Sequence, residues 1–64
     1  MRLDKMKMLI IMAERDMYQK DLAAAAGISR GSLSTIVNGK RCQPKTAIKI
    51  AEALGVDITE ILEG

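Results

Sequence analysis

The chain has 64 residues, a formal charge of +2, one cysteine, and no histidine, tryptophan or phenylalanine. A chain of this size buries only about 60% of the surface it exposes when unfolded, so it needs a staple, a partner or efficient helix packing; one thiol excludes an intrachain disulfide, and without histidine no zinc site of ordinary ligand count can be built. The same counts leave Cys42 without an imidazole to activate it and Tyr18 without an obvious base, which argues against an enzyme and predicts no metal or cofactor.

Apolar residues make up 48% of the chain, almost all aliphatic, sulfur-containing or alanine, the residues with which helices pack. A first helix is predicted from about Leu3 to Arg15. Its apolar positions 3, 6 and 8 to 13 run round nearly the whole circumference rather than along one stripe. A second helix is predicted over Gln19–Ala26, where Gln-Lys-Asp-Leu-Ala-Ala-Ala-Ala has strong helix propensity, and Gly27 supplies its left-handed stop. The third starts after Ser29, a good N-cap, with Ile28 and Leu33 at the positions of a hydrophobic staple. It ends at Asn38-Gly39. The fourth starts near Pro44, a residue suited to the first helical position, behind the mediocre cap Gln43. Its Ala47, Ile48, Ala51 and Leu54 recur at helical spacing, and Gly55 ends it. The fifth is short: Asp57-Ile58-Thr59-Glu60 reads as a capping-box variant, with Val56 and Ile61 as its staple. The β-branched cluster Thr35-Ile36-Val37 stands at helical rather than alternating positions, so no strand is predicted. The expectation is an all-α single domain of five short helices over residues 1–64.

Charge is unevenly spread. Residues 1–49 hold all ten Lys and Arg and four acids, a balance of +6; residues 50–64 hold four acids and no base, a balance of −4. Between Asp21 and Glu52 there is no acid, while Arg30, Lys40, Arg41, Lys45 and Lys49 all fall there. Such a block is either a phosphate-facing surface or a solvated basic face, and charge alone does not separate the two. The longest apolar run, Met8 to Ala13, is six residues, against about 20 for a bilayer span. With no recognisable signal peptide and a free thiol suited to a reducing compartment, the expected location is cytoplasmic, with no membrane partner.

The second and third predicted helices are joined by Gly27-Ile28-Ser29, a connection short enough to make a helix–turn–helix corner over about 19–38. Ala23 is small where the third helix must cross. Leu22, Ala26, Ile28, Leu33 and Ile36 are expected to point inward. That leaves Arg30, Ser32, Ser34, Thr35 and Asn38 on the outer face of the third helix. A face of small polar groups with one arginine suits the DNA major groove: little blocks its entry, and hydroxyls and a guanidinium can address base edges.

The segment from Gln19 to Lys40, with Gly27-Ile-Ser-Arg-Gly-Ser-Leu-Ser-Thr-Ile-Val-Asn-Gly-Lys40 at its centre, resembles the Cro/C1-type helix–turn–helix family, also described as phage-repressor-like or of the xenobiotic-response-element type. The later segment Ala47-Ile-Lys-Ile-Ala-Glu-Ala-Leu-Gly-Val-Asp-Ile-Thr-Glu-Ile-Leu62 resembles the fourth and fifth helices of that family. The resemblance implies a compact five-helix, lambda-repressor-like domain that binds operator DNA, usually as a homodimer on a near-palindrome. By position it implies base reading around Arg30, Gly31, Ser32, Ser34 and Thr35. It implies phosphate contact from Gln19, Asn38, Lys40, Arg41 and Lys45. The chain departs from the family pattern in four places. Gly31 has no side chain at a usual reading position. Tyr18 replaces the small hydroxyl cap of the second helix. Met12 and Val37 stand where many members pair an Arg with a Glu, and both are apolar here, so neither leaves an orphan charge. The first helix carries more apolar surface than one face can bury.

Two functional expectations follow. The first is a bacterial or phage-type transcriptional regulator, most simply a repressor that occludes a promoter, with double-stranded DNA as partner and no small-molecule ligand. The second is a protein-binding module, such as an antitoxin or anti-regulator, that uses the same fold to hold a partner through the apolar first helix and the acidic C-terminal segment. The surplus apolar residues of the first helix, with Ile58, Ile61 and Leu62, either all fill one small core, with Met as flexible filler, or partly form a two-fold contact.

Overall fold

A computed structural model describes residues 1–63 of the chain. It contains α1 (Lys5–Glu14), α2 (Gln19–Ala26), α3 (Arg30–Val37), α4 (Pro44–Leu54) and a single 3-10 turn at Ile58–Glu60. The count of α-helices is therefore four, not five, and among the described residues the only β-type pairing is an isolated antiparallel bridge between Leu3 and Leu62.

The ends of α1 differ from expectation for reasons of pairing. Leu3 lies outside the helix because the two chain ends run together: the Asp4 amide donates to the Ile61 carbonyl at 2.7 Å, and the Glu63 amide to the Arg2 carbonyl at 3.2 Å. The helix starts one residue after Asp4, whose carboxylate accepts the Lys7 amide at 2.9 Å, an N-cap bond that satisfies one orphan donor of the first turn. It stops without glycine. Asp16 takes a left-handed conformation (φ 52°), which short polar side chains tolerate better than bulky ones, and the Met17 amide closes back to the Met12 carbonyl at 2.9 Å.

The next helices follow their local signals closely. In α2 the Asp21 carboxylate reaches back to accept the Tyr18 amide at 2.9 Å, the reverse half of a capping box, while the Tyr18 side chain itself caps nothing. The stop at Gly27 (φ 72°) lets the Ile28 amide reach the Ala23 carbonyl at 3.0 Å and turns the chain sharply into α3. Ser29 caps α3 by accepting the Ser32 amide at 3.1 Å. Pro44 stands in the first turn of α4, behind Gln43, which makes no side-chain cap.

The fifth predicted helix has its capping bonds but not its length. The Asp57 carboxylate accepts the Thr59 amide and hydroxyl at 2.9 and 2.8 Å, and Glu60 accepts the Asp57 amide at 3.0 Å. After one 3-10 turn, however, Ile61 is drawn fully into the core and its carbonyl is taken by Asp4. Helical continuation would break that pairing.

One apolar cluster joins all of these elements: Leu3, Met8, Ile11, Met12, Leu22, Ala23, Ala26, Leu33, Ile36, Val37, Ala47, Ile50, Ala51, Leu54 and Ile61. The buried alanines sit on α2 and α4, which lie in close contact, and their small side chains let the two backbones approach. Met12 and Val37 are both buried, so an apolar pair fills the place where the family resemblance implies an ion pair. Each fully buried Leu or Ile contributes about 1.5–3 kcal/mol relative to exposure. No polar or charged side chain is buried among the described residues.

Candidate nucleic-acid interface

α3 positions its polar residues by simple helical geometry. Leu33, Ile36 and Val37 face inward and are buried. At about 100° per residue, the opposite line then falls on Gly31, Thr35 and Asn38, all exposed on successive turns. Arg30, the first residue of the helix, and Ser32 are also exposed on its flanks. Ser34 departs from expectation: it is half-buried, because it lies one turn from Arg30 and beside the buried Val37 rather than on the outer line. Nothing stands within 4 Å of where a side chain on Gly31 would begin, so the centre of this face is open space.

The small polar groups are held by local bonds. The Ser29 hydroxyl donates to the Ser32 hydroxyl at 2.9 Å, and the Thr35 hydroxyl donates to the Ser32 carbonyl at 2.8 Å. With its proton committed inward, the Thr35 oxygen presents lone pairs outward and is suited to accept from an exocyclic amine, beside a methyl that can meet a thymine methyl. The Asn38 side-chain amide donates to the Ser34 carbonyl at 2.9 Å at the C-cap of α3, and the helix stops where Gly39 turns to positive φ (105°) and the Lys40 amide returns to the Thr35 carbonyl at 3.0 Å.

Asn38 also reveals a residue that sequence reasoning missed. Its side-chain oxygen accepts from the Lys5 ammonium at 3.2 Å. The start of α1 thus places a cation at the end of α3, 33 positions away along the chain, where no local signal could announce it. The two partners of Asn38 also settle which end of its amide is oxygen.

The remaining candidates lie outside α3. Lys40 and Arg41 are exposed in the loop after α3 and line an open groove together with Ile28, Ser32 and Ile36. Lys45 is exposed in the first turn of α4. Because α4 has no side-chain cap, its first free amides add partial positive charge beside Lys45, a combination that favours phosphate oxygens. Gln19 is half-buried as the first residue of α2. Cys42, in the same loop, is half-buried; burial pushes its thiol pKa up, opposed by the nearby α-amino group of Met1, so the thiolate that reacts is disfavoured.

A family model for the Cro/C1-type HTH DNA-binding domain matches residues 7–63. The chain belongs to the Cro/C1-type helix–turn–helix DNA-binding family. No curated protein matches it. Among solved structures, this Cro/C1-type chain is similar over its whole length to native PhpD with cadmium and to PhpD with cadmium and hydroxyethylphosphonate, each at 26% identity and TM-score 0.84. It is similar likewise to a point mutant of hydroxyethylphosphonate dioxygenase, at 26% identity and TM-score 0.86. It spans only 14% of those chains, so the likeness is between this Cro/C1-type domain and one short part of a much larger protein. No helix among the described residues is long and apolar enough to cross a membrane, and none of their His, Cys, Asp or Glu side chains form a group of three that could hold a metal ion.

Proposed function

We propose that the chain acts as a sequence-specific transcriptional regulator of bacterial or phage type. It acts in the cytoplasm as a repressor, entering an operator major groove with α3 as one half of a homodimer. The observation that carries this reading is the outer line of α3, short polar groups around open space at Gly31, set in an acid-free stretch rich in Lys and Arg. Within it, Arg30 addresses guanine O6 and N7, while Thr35, Ser32 and the backbone at Gly31 meet neighbouring base edges, with Ser34 the weakest contributor because it is half-buried. Gln19, Asn38, Lys40, Arg41 and Lys45 set register on the phosphates, joined by Lys5. Occlusion of a promoter needs no further surface. No catalytic role is proposed: the chain has no histidine, and burial raises the pKa of its one thiol, which disfavours the reactive thiolate.

Selection of bound sequences from a random duplex pool tests this reading. The expected result is an enriched, near-palindromic site with half-sites about 34–36 Å apart, one helical turn of DNA. Recovery of the unselected pool at physiological salt would overturn it. The exposed apolar residues of α1 favour one competing reading, an antitoxin-like or anti-regulator module that holds an unlike protein; it predicts co-purification of that protein and no enriched DNA.

A further inference from the structure

α1 is apolar on two opposite faces. Met8, Ile11 and Met12 face the core and are buried. Met6, Leu9, Ile10 and Ala13 fall at i, i+3, i+4 and i+7, which makes a single continuous stripe on the other side. Met6 is 64% exposed, Ile10 53% and Leu9 36%. The stripe shares no residue with the proposed DNA surface. Of the two alternatives for Ile58, Ile61 and Leu62, filling the core holds for Ile61, which is fully buried, while Ile58 and Leu62 are half-buried against the core.

We propose that this stripe packs antiparallel against the same stripe of a second copy, so that α1 forms the two-fold axis of a dimer. The inference rests on the dimer in the reading above and names its surface. Self-complementarity selects the occupant. Lys7 and Glu14 lie two turns apart along the flank next to Ile10. In an antiparallel pair of helices like flank meets like flank, so Lys7 of each copy meets Glu14 of the other, and the two-fold axis repeats the pair. A parallel pair would instead set this flank against the one bearing Lys5, losing both matches. The Lys7 ammonium donates to the Leu62 carbonyl at 3.1 Å within its own chain and retains two further donors for a partner carboxylate. The apolar stripe supplies affinity, and the charges supply orientation. From Met6 to Ala13 it runs only about 10 Å at 1.5 Å per residue, which is small against the roughly 800 Å² per partner of a standard interface. Association is therefore weak in free solution and is strengthened when two half-sites hold two copies side by side.

Sedimentation equilibrium of the full chain from about 10 µM to about 1 mM reads the dimer constant directly. The expected result is a concentration-dependent dimer whose dissociation constant rises at least roughly tenfold in Ile10→Lys, with the circular dichroism melt unchanged because Ile10 is exposed. Lys7→Glu and Glu14→Lys each weaken the dimer, since each sets like charges together, and the double variant Lys7→Glu/Glu14→Lys recovers it. A dimer untouched by Ile10→Lys overturns the proposal while leaving the dimer itself standing on another surface. A double variant weaker than both single ones overturns the antiparallel arrangement. A chain that stays monomeric alone and on a selected site overturns both the proposal and the dimer.

Discussion

If phosphate contact is made by Lys5, Lys40, Arg41 and Lys45, the salt dependence of DNA binding has a calculable slope. Each phosphate neutralised releases condensed counterions, so the slope of log K against log salt is about −0.9 per contact. Four cations per protomer make eight in a dimer and a slope of roughly −7. Between 50 and 200 mM salt, a fourfold change, that slope corresponds to an affinity loss of about 10⁴. The double variant Lys40→Ala/Arg41→Ala removes four of the eight, and its slope should fall to roughly −3.6, with a loss of only about 10² over the same interval. Fluorescence anisotropy of a labelled duplex, titrated at four or five salt concentrations, measures both slopes. Because the two cations lie in an exposed loop, thermal melts of the variant should match the parent, which separates binding from folding. A double-variant slope equal to that of the parent would refute the placement of this loop on the phosphate backbone, whatever the absolute affinity.

Arg30→Ala should reduce discrimination between a selected site and random duplex by about 1–3 kcal/mol, measured by competition binding; equal losses on both duplexes would show a phosphate contact instead. Gly31→Ala should raise the melting temperature by about 4 °C, since a helical Ala replaces Gly and its methyl meets nothing within 4 Å. Gly27→Ala should lower it, because φ is +72° and an L side chain there costs about 1–2 kcal/mol; the pair of melts checks both signs. Ile61→Ala should destabilise the domain by about 2–5 kcal/mol, a fall of 10 °C or more in differential scanning calorimetry, because the side chain is fully buried. The Asp57 carboxyl is held below the usual aspartate range by its bonds from the Thr59 amide and hydroxyl. A depressed folded pKa contributes stability that is complete at neutral pH and is lost as pH falls through the folded value. The melting gap between the parent and Asp57→Ala should accordingly close between pH 5 and strongly acidic pH, and a gap independent of pH would remove the charge from the explanation.

The parts of the fold readable from sequence are those set by local chemistry. Gln19–Ala26 appears with the predicted bounds because Asp21, the alanine run and Gly27 each act within one turn. Ser29 and Asn38 bracket α3 for the same reason. What escaped was non-local. Nothing near Leu3 in sequence announces its pairing with Leu62, and the capping bonds of Asp57 and Glu60 look the same whether one turn or three follow. Asp16 ended α1 in a conformation that sequence reading assigns first to glycine. At the candidate interface, composition found the polar face of α3 and its basic neighbours. It could not find Lys5, which reaches Asn38 only through the fold, and it set Ser34 on the outer face, where the helix instead leaves it half-buried.

The shortened α1 and the truncated fifth helix have one cause. Leu3 and Ile61, each at most 1% exposed, plug the core from opposite ends of the chain. To do so, the segments around them leave helical geometry and bond to each other, through Asp4 to Ile61 and Glu63 to Arg2, while the Cys42 amide donates to the Met1 carbonyl at 2.8 Å. Each such backbone bond contributes about 1 kcal/mol net, a sizeable share for a chain of this length, whose total stability at 0.05–0.15 kcal/mol per residue is only about 3–10 kcal/mol. The same bonds tie the start of the chain to the loop carrying Lys40 and Arg41 and set Lys5 at the end of α3. Closing the core and arranging the basic residues near α3 are thus a single structural event, and a change that frees the chain ends should weaken folding and DNA binding together.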